Sequence, residues 1–213
     1  MNVEHYSPPL VAILRGLTPA EAPQVGAILF EAGLRILEVP LNRPGAVEAI
    51  AELVRIAPAG ALIGGGTMIT RADVDAVAGA GGRLFVAPHI DPAVCRYAHD
   101  TGMLCLPGVA TPSEAFESLR AGAHALKLFP AEALGREGLR ALSTVLPPGA
   151  RVFPVGGVEP DAMAAWVAAG AAGFGIGSAL YRPGVEPDQL ARVARSFIAA
   201  WHAAAAPNAH DEK

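Results

Sequence analysis

One pattern recurs along this chain: a proline-marked helix start, an alanine-rich or amphipathic segment, a glycine, and then a short apolar run. At each start a polar side chain can cap the helix, and the first helical turn accepts proline. The four starts are Thr18-Pro19, Asp91-Pro92, Thr111-Pro112 and Glu159-Pro160. The segments end at glycines: Gly33, Gly81, Gly102, Gly122 and Gly170. A helix, a glycine and then a strand are typical of the junctions of parallel α/β proteins.

The apolar runs predict eight strands, over residues 10–16, 35–42, 61–67, 84–89, 103–108, 125–130, 152–158 and 173–178. Seven helices lie between them and a last one spans residues 188–206, which makes eight strand–helix units. This pattern predicts an α/β fold, a single-domain (β/α)8 TIM barrel over residues 1–206, with a disordered C-terminal tail over residues 207–213. A doubly wound open sheet is the alternative, because the number of strands does not prove that the sheet closes.

Composition and charge exclude several kinds of partner. The chain has 213 residues, 52% of them hydrophobic, and a formal net charge of -4, so it lacks the positive charge that nucleic acid would attract. We expect no membrane insertion and a cytoplasmic location, because no basic leader or long apolar span is present. Cys95, Cys105 and the six histidines lack metal-ligand spacing, so we expect reduced thiols and no metal.

Lysine is scarce in this sequence. Of the 16 basic residues, 14 are arginines, and the two lysines are Lys127 and the C-terminal Lys213. Lys127 lies in the apolar stretch HALKLFPAEA, where a charged ammonium is costly. Lysine can lose its proton, arginine cannot, and a neutral amine is a nucleophile. The sequence therefore indicates that Lys127 is kept for chemistry.

Apart from Arg35 at a strand entrance, three charged residues lie inside the apolar runs, Arg15, Glu38 and Lys127, all toward the carboxyl ends of their strands, where barrels place catalytic groups. Strand alternation predicts that Glu38 and Lys127 both point inward. Burial and Arg15 would lower the pKa of Lys127, whereas ionised Glu38 would raise it, and the sequence does not decide which effect is larger. The alternative is a buried ion pair of Glu38 and Lys127 that only neutralises itself.

Glycine clusters end three of the predicted strands, at residues 64–67, 156–157 and 175–178. The last two belong to the seventh and eighth units, where barrels often bind phosphate through backbone N–H groups and a following helix N-terminus. We therefore predict phosphate binding by Gly156, Gly157, Gly177 and Ser178. Thr67 and Arg15 are candidates to bind a substrate carboxylate. Turn geometry, or a closely packed third strand, is the alternative explanation.

Eight motifs occur in order along the chain: ILRG, LEVPLN, IGGGT, VAPH, CLPG, ALKLFPA, FPVGGV and GIGSALY. They resemble the 2-keto-3-deoxy-6-phosphogluconate and 2-keto-3-deoxy-6-phosphogalactonate aldolases over about residues 8–200. The resemblance implies a class I aldolase that cleaves a phosphorylated six-carbon 2-keto-3-deoxy acid to pyruvate and glyceraldehyde 3-phosphate. It implies a homotrimer that needs no cofactor. It also implies a Schiff-base role for Lys127 and an acid/base role for Glu38, with a substrate pocket formed by Pro88, Phe129 and Val155.

The galactonate branch of this family is the closer match. Its features here are Val155 and the sequence Pro40-Leu41-Asn42, and Arg15 takes the place of the arginine that binds the carboxylate in that branch. His89 and Arg43 depart from the branch pattern. The alternatives are cleavage of the gluconate epimer or of 4-hydroxy-2-oxoglutarate, a phosphate-binding isomerase or synthase without covalent catalysis, and a non-catalytic binding barrel.

Overall fold

The computed structural model describes residues 6–206, so the predicted tail at residues 207–213 lies outside the described residues. Strands and helices alternate along the chain. The strands are β1 (Leu10–Ile13), β2 (Ile36–Pro40), β3 (Leu62–Gly66), β4 (Leu84–Val86), β5 (Leu104–Leu106), β6 (Gly108–Val109), β7 (Leu126–Leu128), β8 (Val152–Pro154) and β9 (Phe174–Ile176). The α-helices are α1 (Ala22–Ala32), α2 (Ala46–Ile56), α3 (Arg71–Gly79), α4 (Pro92–Asp100), α5 (Pro112–Arg120), α6 (Ala131–Val145), α7 (Met163–Ala168) and α8 (Pro187–Ala205).

Each of the eight predicted strands is present, although most are shorter than predicted. The fifth is divided into β5 and β6 at Pro107, a residue that has no N–H to donate to a ladder. The Pro107 carbonyl still accepts a hydrogen bond of 2.9 Å from the Lys127 backbone N–H. The fifth predicted strand is therefore one extended stretch in two segments, β5 and β6.

Local capping explains where the helices begin and end. The side chains of Asp91 and Thr111 cap α4 and α5, as predicted. Thr18 caps the turn before α1 and not α1 itself, which begins only at Ala22: its hydroxyl accepts from the Glu21 N–H and donates to the Glu21 carboxylate. All of the glycines predicted to end helices have a positive φ, between 83° and 109°, which a side chain disfavours: Gly33, Gly81, Gly102, Gly122 and Gly170.

The strands form two parallel sheets. The first is six-stranded, in the order β5-β4-β3-β2-β1-β9, and the second is three-stranded, in the order β6-β7-β8. A single parallel bridge joins Val155, just after β8, to Gly175 in β9. Neighbouring strands follow the order of the chain and the last lies beside the first, so the doubly wound alternative, in which the order reverses at a switch point, is wrong.

Buried side chains form two layers on opposite faces of the strands. The larger layer lies between strands and helices and includes Leu37, Val39, Leu126 and Leu128. The smaller one lies on the other face and contains Val11, Ile36, Leu62, Leu84, Val86, Leu104, Leu106, Ala125 and Phe153. The two-residue alternation predicted for β2 and β7 is thereby confirmed, and it fixes the face on which Glu38 and Lys127 lie.

The described residues contain no helix that is long and apolar enough to cross a membrane. Cys95 and Cys105 are both free and buried, as expected for reduced thiols. Within residues 6–206, no group of three or more His, Cys, Asp or Glu side chains is placed to hold a metal ion.

Candidate active site

Glu38 and Lys127 face the same small internal pocket. Glu38 is 1% exposed and Lys127 is 8% exposed, and they are the only charged side chains among the buried residues of the described chain. The pocket has a volume of about 10 Å³, and its walls include Val86, Leu106 and Phe153. Strands β2 and β7, which lie in different sheets, therefore deliver a carboxyl and an amine to one apolar space.

Burial shifts both groups toward their neutral forms. Desolvation raises the pKa of Glu38 from 4.5 to about 7, although the positive charges of Lys127 and Arg15 oppose the shift. Desolvation is also the largest cause that lowers the pKa of Lys127, with Arg15 acting in the same direction and Glu38 opposing it. Burial therefore lowers the pKa of Lys127 by more than Glu38 raises it, a balance that the sequence did not decide. At neutral pH, a larger fraction of Lys127 is therefore present as the neutral amine than would be for an exposed lysine.

Glu38 and Lys127 do not form a close ion pair. Across residues 6–206, the nitrogen–oxygen contacts within 4.0 Å join other residues, and Glu38 Oε2 has no hydrogen-bond partner in that part of the chain. A carboxyl that only balanced a neighbouring charge would be expected to bond to it. The geometry therefore does not support the self-neutralising pair.

Glycine in β3 makes room for the Glu38 carboxyl. A Cβ built on Gly66 would lie 1.8 Å from Glu38 Oε2, so any side chain there would displace the carboxyl. Gly64 has a different reason, because its Cβ would lie 2.0 Å from the Leu84 carbonyl oxygen in the neighbouring strand. Gly64 thus serves the close packing of the third strand, which was the alternative explanation for this cluster. The steric role of Gly66 beside Glu38 was not predicted from the sequence.

A larger cavity of about 280 Å³ lies next to the Lys127 pocket, with which it shares Ile13, Val155 and Gly175. It brings together most of the residues predicted for substrate binding: Arg15, Phe129, Val155, Gly156, Gly157, Gly177 and Ser178. The ring centroid of Phe129 lies 5.0 Å from Lys127 Nζ, which connects the cavity to the amine. Thr67 and Pro88 line neither cavity.

The glycines of the larger cavity have different causes. Gly156 and Gly157 have φ of 115° and 62°, and a Cβ on Gly156 would lie 1.9 Å from Glu132 Oε2. Gly177 has no such constraint, since its Cβ would meet only the Ile13 Cβ, at 4.0 Å. Backbone geometry accounts for the first two, whereas at Gly177 the missing side chain leaves open space in the cavity.

Helical segments follow these two glycine clusters at different distances. Glu159-Pro160 begins a 3-10 turn, Pro160–Ala162, before the six-residue helix α7. After β9 the chain makes a turn in which the Leu180 and Tyr181 N–H groups donate to the Gly177 carbonyl, and α8 starts only at Pro187. A helical N-terminus therefore lies near the glycines after β8 but not directly after Ser178, and its support of a phosphate stays a prediction.

Sequence reasoning missed three polar residues of the larger cavity, Glu159 and, in the loop after β9, Tyr181 and Arg182. The Tyr181 hydroxyl is buried without a hydrogen-bond partner among the described residues, and burial raises its pKa to about 12. Tyr181 and Arg182 follow Ser178 closely, so their place in the chain was a usable signal. His89 and Arg43, which depart from the galactonate pattern, are both exposed.

The fold and site define an enzyme class before any comparison is made. A parallel α/β fold with a buried amine of lowered pKa, a buried carboxyl and an adjoining cavity can form and hydrolyse imines of carbonyl compounds. The carboxyl, with a pKa near neutrality, can both give and take protons.

Comparison with known proteins identifies the family. A family model described as KDPG and KHG aldolase matches residues 5–196, so the chain belongs to that aldolase family. The 2-dehydro-3-deoxy-6-phosphogalactonate aldolase of Escherichia coli (strain K12) is 46% identical, covering 92% of this chain and 96% of that protein. A probable enzyme of the same name from Rhizobium meliloti (strain 1021) is also 46% identical, with 92% of each chain covered. A solved structure described as native KDPGal matches with a TM-score of 0.91 and 44% identity, covering 93% of this chain and 96% of that one.

Proposed function

We propose that this protein is a class I aldolase that cleaves 2-dehydro-3-deoxy-6-phosphogalactonate to pyruvate and glyceraldehyde 3-phosphate. The observation that carries the proposal is the shared pocket of Lys127 and Glu38, in which burial brings both pKa values toward neutrality. The names of the two relatives at 46% identity support the substrate. No metal or organic cofactor has a role in this chemistry.

The first half of the reaction makes an electron sink. Neutral Lys127 attacks the C2 ketone, and the carbinolamine hydroxyl leaves as water after Glu38 donates a proton, which gives an iminium ion. Glu38 is then ionised, as the next step requires. Because Glu38 has a pKa of about 7, both its protonated and its ionised forms are available near neutral pH.

The second half of the reaction breaks the carbon–carbon bond. Glu38, directly or through a water, takes the proton of the C4 hydroxyl, the C3–C4 electron pair moves into the iminium, and the aldehyde leaves. The remaining enamine of pyruvate takes a proton at C3. Water then hydrolyses the resulting iminium, which releases pyruvate and returns Lys127 as an amine.

The two anionic ends of the substrate are held by different groups of residues. In this proposal Arg15 and Thr67 orient the C1 carboxylate, while Gly156, Gly157, Gly177 and Ser178 bind the phosphate. Arg15 follows β1 and lies beside β2, since the Leu14 N–H donates to the Glu38 carbonyl at 2.9 Å. Phe129 and Val155, which line the larger cavity, surround the carbon chain in this proposal, with Pro88 outside the cavity lining.

The choice of the galactonate compound is tested with both C4 epimers. We expect pyruvate release, followed by a coupled reduction to lactate, to be faster with the phosphogalactonate compound than with the phosphogluconate compound. The sequence Pro40-Leu41-Asn42 next to Glu38, together with Val155 in the cavity wall, supports this preference. Faster cleavage of the gluconate epimer, or preferential cleavage of 4-hydroxy-2-oxoglutarate, would replace the proposed substrate and leave the chemistry unchanged.

Two other functions make different predictions for the same assay. A phosphate-binding isomerase or synthase that uses only acid/base groups would keep its activity after borohydride treatment with substrate. A non-catalytic binding protein would bind the phosphorylated acid without releasing pyruvate. The lowered pKa of Lys127 has no use in either, which is why we favour the aldolase.

We further propose that the two sheets close into a complete (β/α)8 barrel and that residues 1–206 form one domain. Support comes from the two seams between the sheets. At one seam, β5 continues through Pro107 into β6, and the Lys127 N–H donates to the Pro107 carbonyl at 2.9 Å. At the other, Val155 pairs with Gly175. Protection of the backbone amides at these two seams from hydrogen exchange would test whether the barrel is closed.

The resemblance to the aldolase family also leads us to propose a homotrimer that works in the cytoplasm. Sedimentation equilibrium of the purified full-length chain measures the assembly directly. A monomer or dimer at the concentrations used in the assay would contradict the trimer. Fractionation of cells that express the protein tests the location.

Thr67 combines a strained backbone with its proposed role in carboxylate binding. Its φ is 55°, and it is the one residue other than glycine with positive φ among the described residues. A β-branched residue is strained there and such strain often marks functional sites. We expect Thr67→Gly to increase the free energy of unfolding by up to roughly 1 kcal/mol, while KM for the keto acid rises several-fold.

Thr67→Val is the matched control for this prediction. It keeps the β-branched shape and the strain but removes the hydroxyl. We expect it to raise KM like Thr67→Gly without stabilising the protein in urea denaturation. If both variants left KM unchanged, Thr67 would have no part in binding the carboxylate.

A further inference from the structure

We infer that Arg182 is a binding residue for the phosphate of the substrate, supplying the cationic contact that the glycine-rich cradle lacks. The inference rests on the proposed function for the identity of the phosphorylated ligand. Arg182 lines the larger cavity together with Gly156, Gly157 and Ser178. It is thus in the wall of the compartment proposed for phosphate.

The cradle alone is a weak site for a doubly charged group. Its groups are neutral, namely backbone N–H groups and the Ser178 hydroxyl, and the helix after Gly157 is only six residues long. After Ser178 there is a turn, and no helix begins before Pro187. A phosphate monoester carries nearly two negative charges at neutral pH, and charge-assisted hydrogen bonds are about twice as strong as neutral ones. A cation in the wall is the missing element.

The Arg182 side chain is exposed, makes one hydrogen bond and retains unused donors. Its Nε donates to the Ser178 carbonyl at 3.1 Å, and Ser178 lines the cavity proposed for the phosphate. Within residues 6–206 it has no carboxylate within 4.0 Å, and no other hydrogen bond of its side chain is recorded there. The two terminal amino groups remain as a fork that fits two phosphate oxygens.

Packing keeps the Arg182 loop next to the catalytic face. A Cβ on Gly16 would lie 3.1 Å from Pro183 Cγ, so the residue after Arg182 packs against the residue after Arg15. Both arginines line the same cavity. In the proposal the carboxylate goes to Arg15 and the phosphate to Arg182, which is hydrogen-bonded to Ser178 of the proposed phosphate cradle.

Glu159 also lines this cavity, and it forms no ion pair within 4.0 Å in the described part of the chain. Its carboxylate would repel a phosphate unless a cation stands closer to the bound group. The two residues come from different loops: Glu159 follows β8, and Arg182 follows β9. Because Arg182 and Glu159 carry opposite charges, neutralising each should change phosphate binding in opposite directions.

The test separates the two anionic ends of the substrate by running the reaction toward synthesis. Pyruvate carries only a carboxylate, and glyceraldehyde 3-phosphate carries only a phosphate. We expect Arg182→Gln to raise KM for glyceraldehyde 3-phosphate at least 10-fold, with KM for unphosphorylated glyceraldehyde and the yield of the borohydride-trapped pyruvate adduct unchanged. Arg182→Lys should recover part of the loss, and Glu159→Gln should lower KM for the phosphorylated aldehyde. Arg195→Gln, at an exposed position on α8, is the matched control.

Binding of inorganic phosphate, followed by calorimetry without turnover, keeps this test independent of the aldolase assignment. If the wild-type protein binds phosphate and Arg182→Gln weakens that binding about 10-fold, the inference stands even if neither epimer is cleaved. If the wild-type protein cleaves its substrate and Arg182→Gln changes KM equally for both aldehydes, or for neither, the inference is overturned. Loss of pyruvate trapping in Arg182→Gln would also contradict it, by placing Arg182 at the carboxylate end.

Discussion

Replacing Lys127 with methionine is expected to abolish aldol cleavage and borohydride trapping of pyruvate together. Methionine is close in length and apolar, so it fits the pocket but offers no amine for imine formation. We expect kcat to fall roughly 10⁴-fold or more, as is usual when a covalent nucleophile is removed. Because burial already disfavours a charge at this position, the free energy of unfolding should equal or exceed that of the wild type.

Peptide mass spectrometry after borohydride reduction identifies the trapped residue. The chain has only one other lysine, Lys213, at its C-terminus, so the two possible adducts fall in different peptides. Lys127→Arg is the matched variant, because its guanidinium keeps a positive charge but cannot form an imine. An adduct on Lys213 alone, or substantial turnover by Lys127→Arg, would show that the buried amine is structural.

Replacing Glu38 with glutamine is expected to reduce activity and increase stability. Glutamine keeps the size and polarity of the side chain but cannot transfer the proton, so we expect kcat to fall by about 10²- to 10⁴-fold. In the wild type, cleavage should slow as the pH rises above about 7, since the reaction begins with Glu38 protonated and ready to donate to the carbinolamine hydroxyl. Glu31→Gln, at an exposed position on α1, is a control that should change neither quantity.

The stability effect has a definite sign. The pKa of Glu38 is about 7 in the folded protein against an ordinary value of 4.5, so between these values the folded state holds a proton that the unfolded chain has released. The free energy of unfolding therefore falls as the pH rises through this window, and the full cost of roughly 3 kcal/mol is present above it. Glu38→Gln removes the cost, so it should be most stabilising near pH 8 and nearly neutral near pH 4.

Urea denaturation of both proteins at several pH values measures this effect. A constant difference in stability across the whole range would show that Glu38 does not titrate within it. An activity profile of the wild type that is flat through pH 7 would show that another group moves the proton. Either result would remove Glu38 from the acid/base role, even if Lys127 forms the adduct.

Much of the architecture was predictable because its signals are local. Each glycine that ends a helix needs a positive φ, and each apolar run needs a buried face, so the eight strands and the inward direction of Glu38 and Lys127 were readable along the chain. Helix starts were less certain. Thr18 and Glu159 have the residue type of a cap, but their side chains do not cap the N-terminus of α1 or α7.

What the sequence determined by itself was the set of chemical groups and the face of the strand on which each lies, because alternation and capping depend on near neighbours. Only the tertiary structure decided how the groups act on one another. The pKa of Lys127 depends on burial and on charges from β1 and β2, the space for Glu38 depends on Gly66 in β3, and Arg182 reaches the cavity through a turn after β9. Desolvation and electrostatic interactions act through space, between strands far apart in sequence, so the chain order alone does not contain their magnitudes.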